Sequence, residues 1–399
     1  MLSFQNECYY HGLLGLDDVF CMLKKEGDFL VRMKKDSSDD IKTFTLSVFS
    51  DGVIRHYILK KCNGKIAIDF GHEDGYATIQ EFVNEHVRKG TSIIKARFVL
   101  LKNGIPKKDW ELSHLSLKTG DELGSGAFGV VRKGKLTCVD GTVRKVAIKV
   151  ATENCINEKL KELMNEARIR RKFRDKNVIA FFGVTLDKYP IMIVMEMATE
   201  GALNEHLQKF KTDVQGKLLM CYGAMSGLCH VHQQNVVHCD VAARNCLYSG
   251  KNVKIADFGL ARELAKGETS VKIRSGQNVP FKWLAPETIM DRAFSKKSDV
   301  WSLGLLCWEV FADGASPYGA LEVHQLIAQK ILSGERPKFS EETPGDFKEL
   351  ITQCVWNVKP NLRCDMEQIK RWMEKNIKRL VKGWEEVRRQ SPRRRTKSK

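Results

Sequence analysis

His238-Cys239-Asp240-Val241-Ala242-Ala243-Arg244-Asn245, followed twelve residues beyond Asn245 by Asp257-Phe258-Gly259, is the stretch that decides how this chain is read. Moving a phosphoryl group onto a hydroxyl needs a carboxylate to orient the incoming hydroxyl. It also needs two further oxygen ligands for a metal ion, all held on a short rigid turn. Asp240, Asn245 and Asp257 fit those three roles. Ala285-Pro286-Glu287 lies thirty residues after Asp257 and closes the segment that begins there. An Asp-Phe-Gly tripeptide alone is an ordinary turn; it is the joint spacing that points to phosphoryl transfer.

Composition bounds the rest. A chain of 399 residues carries a prior of two to three domains at about 100–200 residues each, and 43% hydrophobic content suffices for globular cores. No apolar run reaches the length of a membrane span, and the start, Met1-Leu2-Ser3-Phe4-Gln5, has neither a secretory apolar region nor a glycine for myristoylation. A cytoplasmic protein is expected. The twelve cysteines are scattered singly, which favours buried thiols over zinc sites or disulfides. The formal charge of +17 is uneven, since residues 378–399 hold ten Lys or Arg against two Glu. That segment reads as a basic disordered tail, either a solvated terminus, a nuclear-import signal, or a device that places the protein peripherally at the anionic cytoplasmic face of the plasma membrane. No specific nucleic-acid binding is expected, and the protein is expected to be monomeric.

Working toward the amino terminus, residues 9–100 read as a small α+β unit. Leu16, Val19, Phe20 and Leu23 recur at helical spacing, and Phe29-Leu30-Val31-Arg32 is strand-like. Thr43 to Ser50 alternates, Asp51-Gly52 is a hairpin turn, and Val53 to Leu59 returns. Thr78 with Glu81 forms a capping box for a helix whose apolar face is Ile79, Phe82, Val83, His86 and Val87, with Gly90 as its stop. Tyr10-His11-Gly12 and Phe29-Leu30-Val31-Arg32 resemble a Src homology 2 domain, a central antiparallel sheet flanked by two helices that binds phosphotyrosine. The resemblance implies that Arg32 grips phosphate with a bidentate fork, aided by Lys34 and His56. A structural ion pair is the alternative role for Arg32. The sequence departs from the family at Leu16, where many members place a second phosphate-binding Arg, and at Ile58, where others place Lys. Lys34 and Lys35 could restore that charge.

Residues 101–116 read as a polar linker ending in the apolar anchors Trp110 and Leu112. From Leu117, Leu123-Gly124-Ser125-Gly126-Ala127-Phe128-Gly129-Val130-Val131 carries a Gly-x-Gly-x-x-Gly spacing. Alone this is weak, because dinucleotide folds share it. There the glycines open a helix, whereas Val130 to Leu136 continues as a strand, giving a glycine hairpin whose amides approach phosphate. Together with Val146-Ala147-Ile148-Lys149 and the loop at 238–245, the order resembles a protein kinase of bilobal fold over residues 117–377. The resemblance implies ATP with magnesium or manganese, Asn245 and Asp257 as metal ligands, Ala147 in the nucleotide pocket, Lys149 clamping phosphate and Glu166 as its partner. Met195, Glu196 and Met197 would line the adenine hinge, with Met195 as gatekeeper. Asp299 would brace the catalytic loop, and Arg363 would pair with Glu287.

Serine/threonine kinases place Lys two residues after the catalytic Asp, whereas tyrosine kinases place Ala there and Arg two residues further on. This chain has Ala242 and Arg244, and Pro280-Phe281-Lys282-Trp283 resembles the tyrosine-kinase substrate platform, with Pro280 and Trp283 carrying the substrate backbone. The linker resembles that of the Fes and Fer non-receptor tyrosine kinases, of which this would be a short relative. Tyrosine-phosphorylated proteins and protein-tyrosine substrates are the implied partners. A catalytically dead scaffold and a serine/threonine enzyme are the rivals. All eight tyrosines lie outside residues 257–287 and outside 378–399, and Cys239 precedes Asp240 where phosphorylation-activated kinases have Arg. An activation segment held active without tyrosine phosphorylation is therefore expected.

Overall fold

The structure is a computed structural model that describes residues 3–35, 42–62, 64–68, 75–94, 96–126, 129–150 and 157–381. It divides into two compact units, Met1–Ala167 with Phe182–Met195, and Arg168–Phe181 with Glu196–Lys399.

In the first unit, α1 (Leu16–Met22) precedes β1 (Asp28–Lys35), β2 (Lys42–Ser50), β3 (Val53–Cys62) and β4 (Lys65–Ile68), and α2 (Ile79–Lys89) follows. Strand order is β4-β3-β2-β1-β5, where β5 is Asn103–Gly104. Asp51 and Gly52 both take positive φ, 53° and 75°, the geometry of the tight turn that matches strand twist. Alternation then sorts the faces. Phe29, Val31, Leu46, Val48 and Leu59 pack with Ile79, Phe82 and Val83 of α2 into one core. The opposite face carries Leu30, Arg32, Thr45, Ser47, His56 and Ile58.

Three sequence expectations change here. The sheet is not wholly antiparallel, because β5 pairs in parallel with β1 at Asp28–Asn103 and Phe29–Gly104. The linker supplies that edge strand, so residues 103–104 belong to the sheet of the first domain rather than to a free connection. On α1, Val19 and Leu23 are buried, but Leu16 is 45% and Phe20 51% exposed, and on α2 Val87 also faces solvent. Each residue turns a helix by about 100°, so Leu16 and Phe20 occupy one edge of a wide apolar stripe whose other edge alone meets the sheet.

The linker continues into a second sheet of order β6-β10-β11-β9-β8-β7. Its strands are β6 (Glu111–Leu112), β7 (Leu117–Gly126), β8 (Gly129–Thr137), β9 (Val143–Val150), β10 (Phe181–Thr185) and β11 (Met192–Glu196), with α3 (Asn157–Arg170) between β9 and β10. Glu111 and Leu112 pair in parallel with Val184 and Thr185. The two sheets of this unit are stitched together around His11. Its Nδ1 is 2.8 Å from Glu111 Oε2, and its Nε2 is 2.9 Å from the Ile105 carbonyl. Leu13 N–H donates to the Leu186 carbonyl at 2.8 Å. Gly12 has φ 56°, and a Cβ there would stand 1.9 Å from Leu186 O, so only glycine fits this approach.

The second unit is mainly helical, with α4 (Leu203–Lys209), α5 (Val214–Gln233), α6 (Pro286–Asp291), α7 (Lys296–Phe311), α8 (His324–Leu332), α9 (Gly345–Glu349) and α10 (Met366–Leu380). Its core gathers Leu218, Met225 and Leu228 of α5 around Trp301, Leu305 and Leu306 of α7. Short ladders position the loops: β12 (Val236–Val237) with β15 (Arg262–Glu263), and β13 (Cys246–Ser249) with β14 (Asn252–Ile255). α10 runs past 377, and Ile377 and Val381 are buried, so residues 378–381 belong to the folded unit and not to the tail expected from 378 onward. Residues 382–399 lie outside the described residues. No described helix is long and apolar enough to cross a membrane.

Candidate active site

The glycine stretch forms a hairpin in the first unit. Gly124 pairs with Val131, Ser125 with Val130 and Gly126 with Gly129. Ala127 and Phe128, at the tip, lie outside the described residues. Leu123 is exposed at its base. Strand β8 then pairs with β9, bringing Val131 opposite Lys149, which lies between the buried Ile148 and the partly buried Val150. Lys149 Nζ is 2.8 Å from Glu166 Oε2 of α3, and both side chains are buried. Ala147 and Met195 are buried in the same unit, and the chain passes to the second unit between Met195 and Glu196. Glu196 is held there by Lys254 at 3.0 Å and accepts from Ala180 N–H at 3.1 Å; Met197 follows, partly exposed.

The second unit carries the loop at 238–245. Asp299, buried near the start of α7, accepts from His238 N–H at 2.7 Å, from Cys239 N–H at 2.9 Å and from His232 Nε2 at 2.9 Å. Cys239 takes φ 67°, a left-handed conformation that a non-glycine residue holds only when its surroundings enforce it. His238 contributes twice more, with Nε2 on the Ala256 carbonyl at 2.9 Å and its ring 5.0 Å from that of Phe258. Beyond Asp240, Asn245 Nδ2 donates back to the Asp240 carbonyl at 2.8 Å, and Ala256 N–H donates to the Asn245 carbonyl at 2.9 Å. Asp257, φ 47°, accepts from Gly259 N–H at 3.2 Å. The braced loop thus carries Asp240 and Asn245, and the Ala256–Asn245 hydrogen bond ties it to the turn that carries Asp257.

Asp240 is pushed above the ordinary carboxylate range by burial, against the pull of Arg244, His238 and Asn245. Arg244 pairs with Asp240, and its guanidinium lies 4.1 Å from the centre of the Trp283 ring. Its Nη1 is buried with no hydrogen-bond partner among the described residues. Pro280 caps the short helical turn Phe281–Trp283 that presents the indole. Arg363 grips Glu287 with two parallel contacts of 2.8 and 3.1 Å. Glu309 is a residue the sequence analysis missed: it accepts from Ala243 N–H and from Trp283 Nε1. Its only sequence signal is a lone acid inside the apolar run from Leu303 to Phe311.

In the first domain, Arg32 projects from a strand whose neighbours Phe29, Leu30 and Val31 are fully buried. Burial draws its guanidinium below the usual arginine range, and Nε has no partner among the described residues. His56 stands near it, accepting or donating at 2.9 Å with Ser47 Oγ, and is held below the usual histidine range by burial and then by Arg32. Ile58 on this face is 40% exposed, and Leu16 of α1 is 45% exposed. The side chains of Lys34 and Lys35 lie outside the described residues.

The family description "Protein tyrosine and serine/threonine kinase" matches residues 117–373, and "SH2 domain" matches residues 9–86. The chain is 33% identical over 362 residues to Fer-related kinase 1 of Caenorhabditis elegans, covering 90% of this chain and 91% of that one. Tyrosine-protein kinase Fer of Homo sapiens is 33% identical over 368 residues, which span 91% of this chain but 43% of the human protein. The transforming protein Fps of avian sarcoma virus is 33% identical over 362 residues, 65% of its length. With the catalytic loop and the arginine-bearing sheet in place, these similarities mean that the chain belongs to the Fer/Fps-like non-receptor protein-tyrosine kinases, a Src homology 2 domain followed by a kinase domain.

Proposed function

We propose that the chain transfers the γ-phosphate of ATP to tyrosine residues of proteins, that Asp240 orients and deprotonates the phenol, and that Arg32 recruits tyrosine-phosphorylated partners. The observation that carries the choice of hydroxyl is the set Asp240, Arg244 and Trp283. A phenol reaches further from the backbone than a serine hydroxyl, and an indole with a stacked guanidinium gives its ring a wall and its oxygen a donor. Arg244 Nη1, buried without a hydrogen-bond partner among the described residues, supports that role. Lys149, fixed by Glu166, would grip the α and β phosphates. The metal donors fit magnesium: Asn245 commits its Nδ2 to a carbonyl, leaving Oδ1 for a cation, and Asp257 adds a hard carboxylate. Magnesium or manganese bound there would neutralise charge on the transferring phosphoryl group. Incubating purified protein with ATP, magnesium and a mixed tyrosine and serine peptide, then analysing phosphoamino acids, tests this directly. Phosphoserine, or no product, sinks it.

Regulation passes, in this reading, from tyrosine phosphorylation of the activation segment to docking of the phosphotyrosine module. Cys239 is buried with its thiol pushed up by burial, so it offers no cation to an incoming phosphate. The His11–Glu111 and Leu13–Leu186 contacts tie the module to the sheet that carries Lys149. Phosphatase-treated protein and a Thr269, Ser270, Ser275 triple alanine variant should keep full activity, whereas the isolated kinase domain from Leu112 should lose several-fold. Inactivity after dephosphorylation would refute the scheme. A phosphotyrosine module over residues 9–104, a kinase domain over 117–381 with a basic tail beyond, cytoplasmic placement and a monomeric state complete the proposal. If the tail reaches anionic membrane, vesicle binding should weaken steeply with salt, at about 1 kcal/mol per basic residue near the surface.

A further inference from the structure

Glu309 is 3% exposed on α7, and its Oε2 accepts two hydrogen bonds from different parts of the site. One comes from Ala243 N–H in the catalytic loop at 2.9 Å, and the other from Trp283 Nε1–H on the substrate platform at 3.0 Å. The same indole carries Arg244, which pairs with Asp240. One buried oxygen therefore ties the backbone of the loop to the ring that shapes the phenol site.

The groups that face Glu309 are unequal. Arg244, the Ala243 amide and the Trp283 indole favour its charge, whereas Asp240 opposes it, and the buried thiols of Cys246 and Cys307 feel it in turn. Burial outweighs the favourable partners and pushes the carboxyl up to about 7. A carboxyl whose ionisation costs free energy at neutral pH is a poor structural brace, because an uncharged isostere would fill the space at least as well. The cation that favours its ionisation is Arg244.

We propose that Glu309 is a positioning residue for the tyrosine substrate, holding Trp283 and Arg244 as one wall against Asp240, so that it governs peptide affinity and not ATP affinity. This rests on the tyrosine-kinase function proposed above. As pH rises from about 6 to 8, Glu309 gains its charge and the wild-type KM for a tyrosine peptide falls, until the substrate side is fully ordered.

The test is steady-state kinetics of the full chain across that pH range. Glu309→Gln should raise peptide KM at pH 8 by at least about fivefold, the scale of a hydrogen bond to a charged group. It should leave ATP KM within about twofold, flatten the pH dependence of peptide KM, and leave Tm at pH 8 equal to or above that of the wild type. Trp283→Phe, which removes the donor and keeps a ring, should act on the same parameter, and the double variant should be no worse than the weaker single. An unchanged peptide KM in both variants would overturn the proposal, as would equal rises in peptide and ATP KM with a fall in Tm, the mark of a purely structural brace. Wild-type phosphotyrosine formation in the same assay tells failure of this inference from failure of the kinase reading.

Discussion

The catalytic loop and the phosphotyrosine pocket both bury charge, but they treat it in opposite ways. Asp299 meets three donors, so the loop's buried charge is spent on fixing backbone. Among the described residues Arg32 Nε has no partner, beside a His56 held below its usual range, which suits the phosphate-binding role proposed for it. A catalytic turn must hold its geometry before substrate arrives, whereas a recruitment pocket gains affinity by leaving hydrogen-bonding capacity unmet until phosphate fills it.

Breaking this contrast should give graded effects. Asp240→Asn removes the proton acceptor without touching the bracing, so turnover should fall by about 100- to 10,000-fold while ATP binding, measured by calorimetry, is retained. Near wild-type turnover would defeat the proposed role. Asp299→Ala strips a buried acceptor from three donors and should destabilise the second unit by about 3–5 kcal/mol in urea unfolding; a loss below 1 kcal/mol would mean that the loop does not depend on it. Arg32→Lys replaces the fork with an ammonium and should weaken phosphopeptide binding about 10- to 100-fold, with little change in Tm, because Nε has no hydrogen-bond partner to lose among the described residues. Equal affinity of the wild type for phosphorylated and unphosphorylated peptides would show that the pocket has no phosphate ligand.

The pH dependence of stability follows from Glu309. Its folded pKa, about 7, lies above the value of 4.5 for the free side chain, so the folded state keeps a proton that the unfolded state has released. Stability contributed by that proton is present in full below about pH 4.5 and is lost as pH rises to about 7. Thermal unfolding of Glu309→Gln should therefore show a shallower decline across that range than the wild type does. An identical slope would mean that the carboxyl titrates normally.

The sequence by itself determined the order of domains, the identities of the loop residues and their distance along the chain. Spacings such as 240, 245 and 257, the glycine hairpin and the Asp51-Gly52 turn are local, and backbone chemistry over a few residues fixes what they can form. Periodicity also placed the core residues Val19, Leu23, Phe82 and Val83, but it overcounted at Leu16, Phe20 and Val87. An apolar stripe states only what a helix can bury, and the sheet opposite it decides how much is covered. Three features required the tertiary structure: the linker strand at Asn103–Gly104, the His11–Glu111 contact, and Glu309 under Ala243 and Trp283. Each joins residues 26 to 100 positions apart, where no local period exists to mark the partner. A lone acid in an apolar helix signals only that it must find donors, and which donors it finds is settled when the chain closes around it.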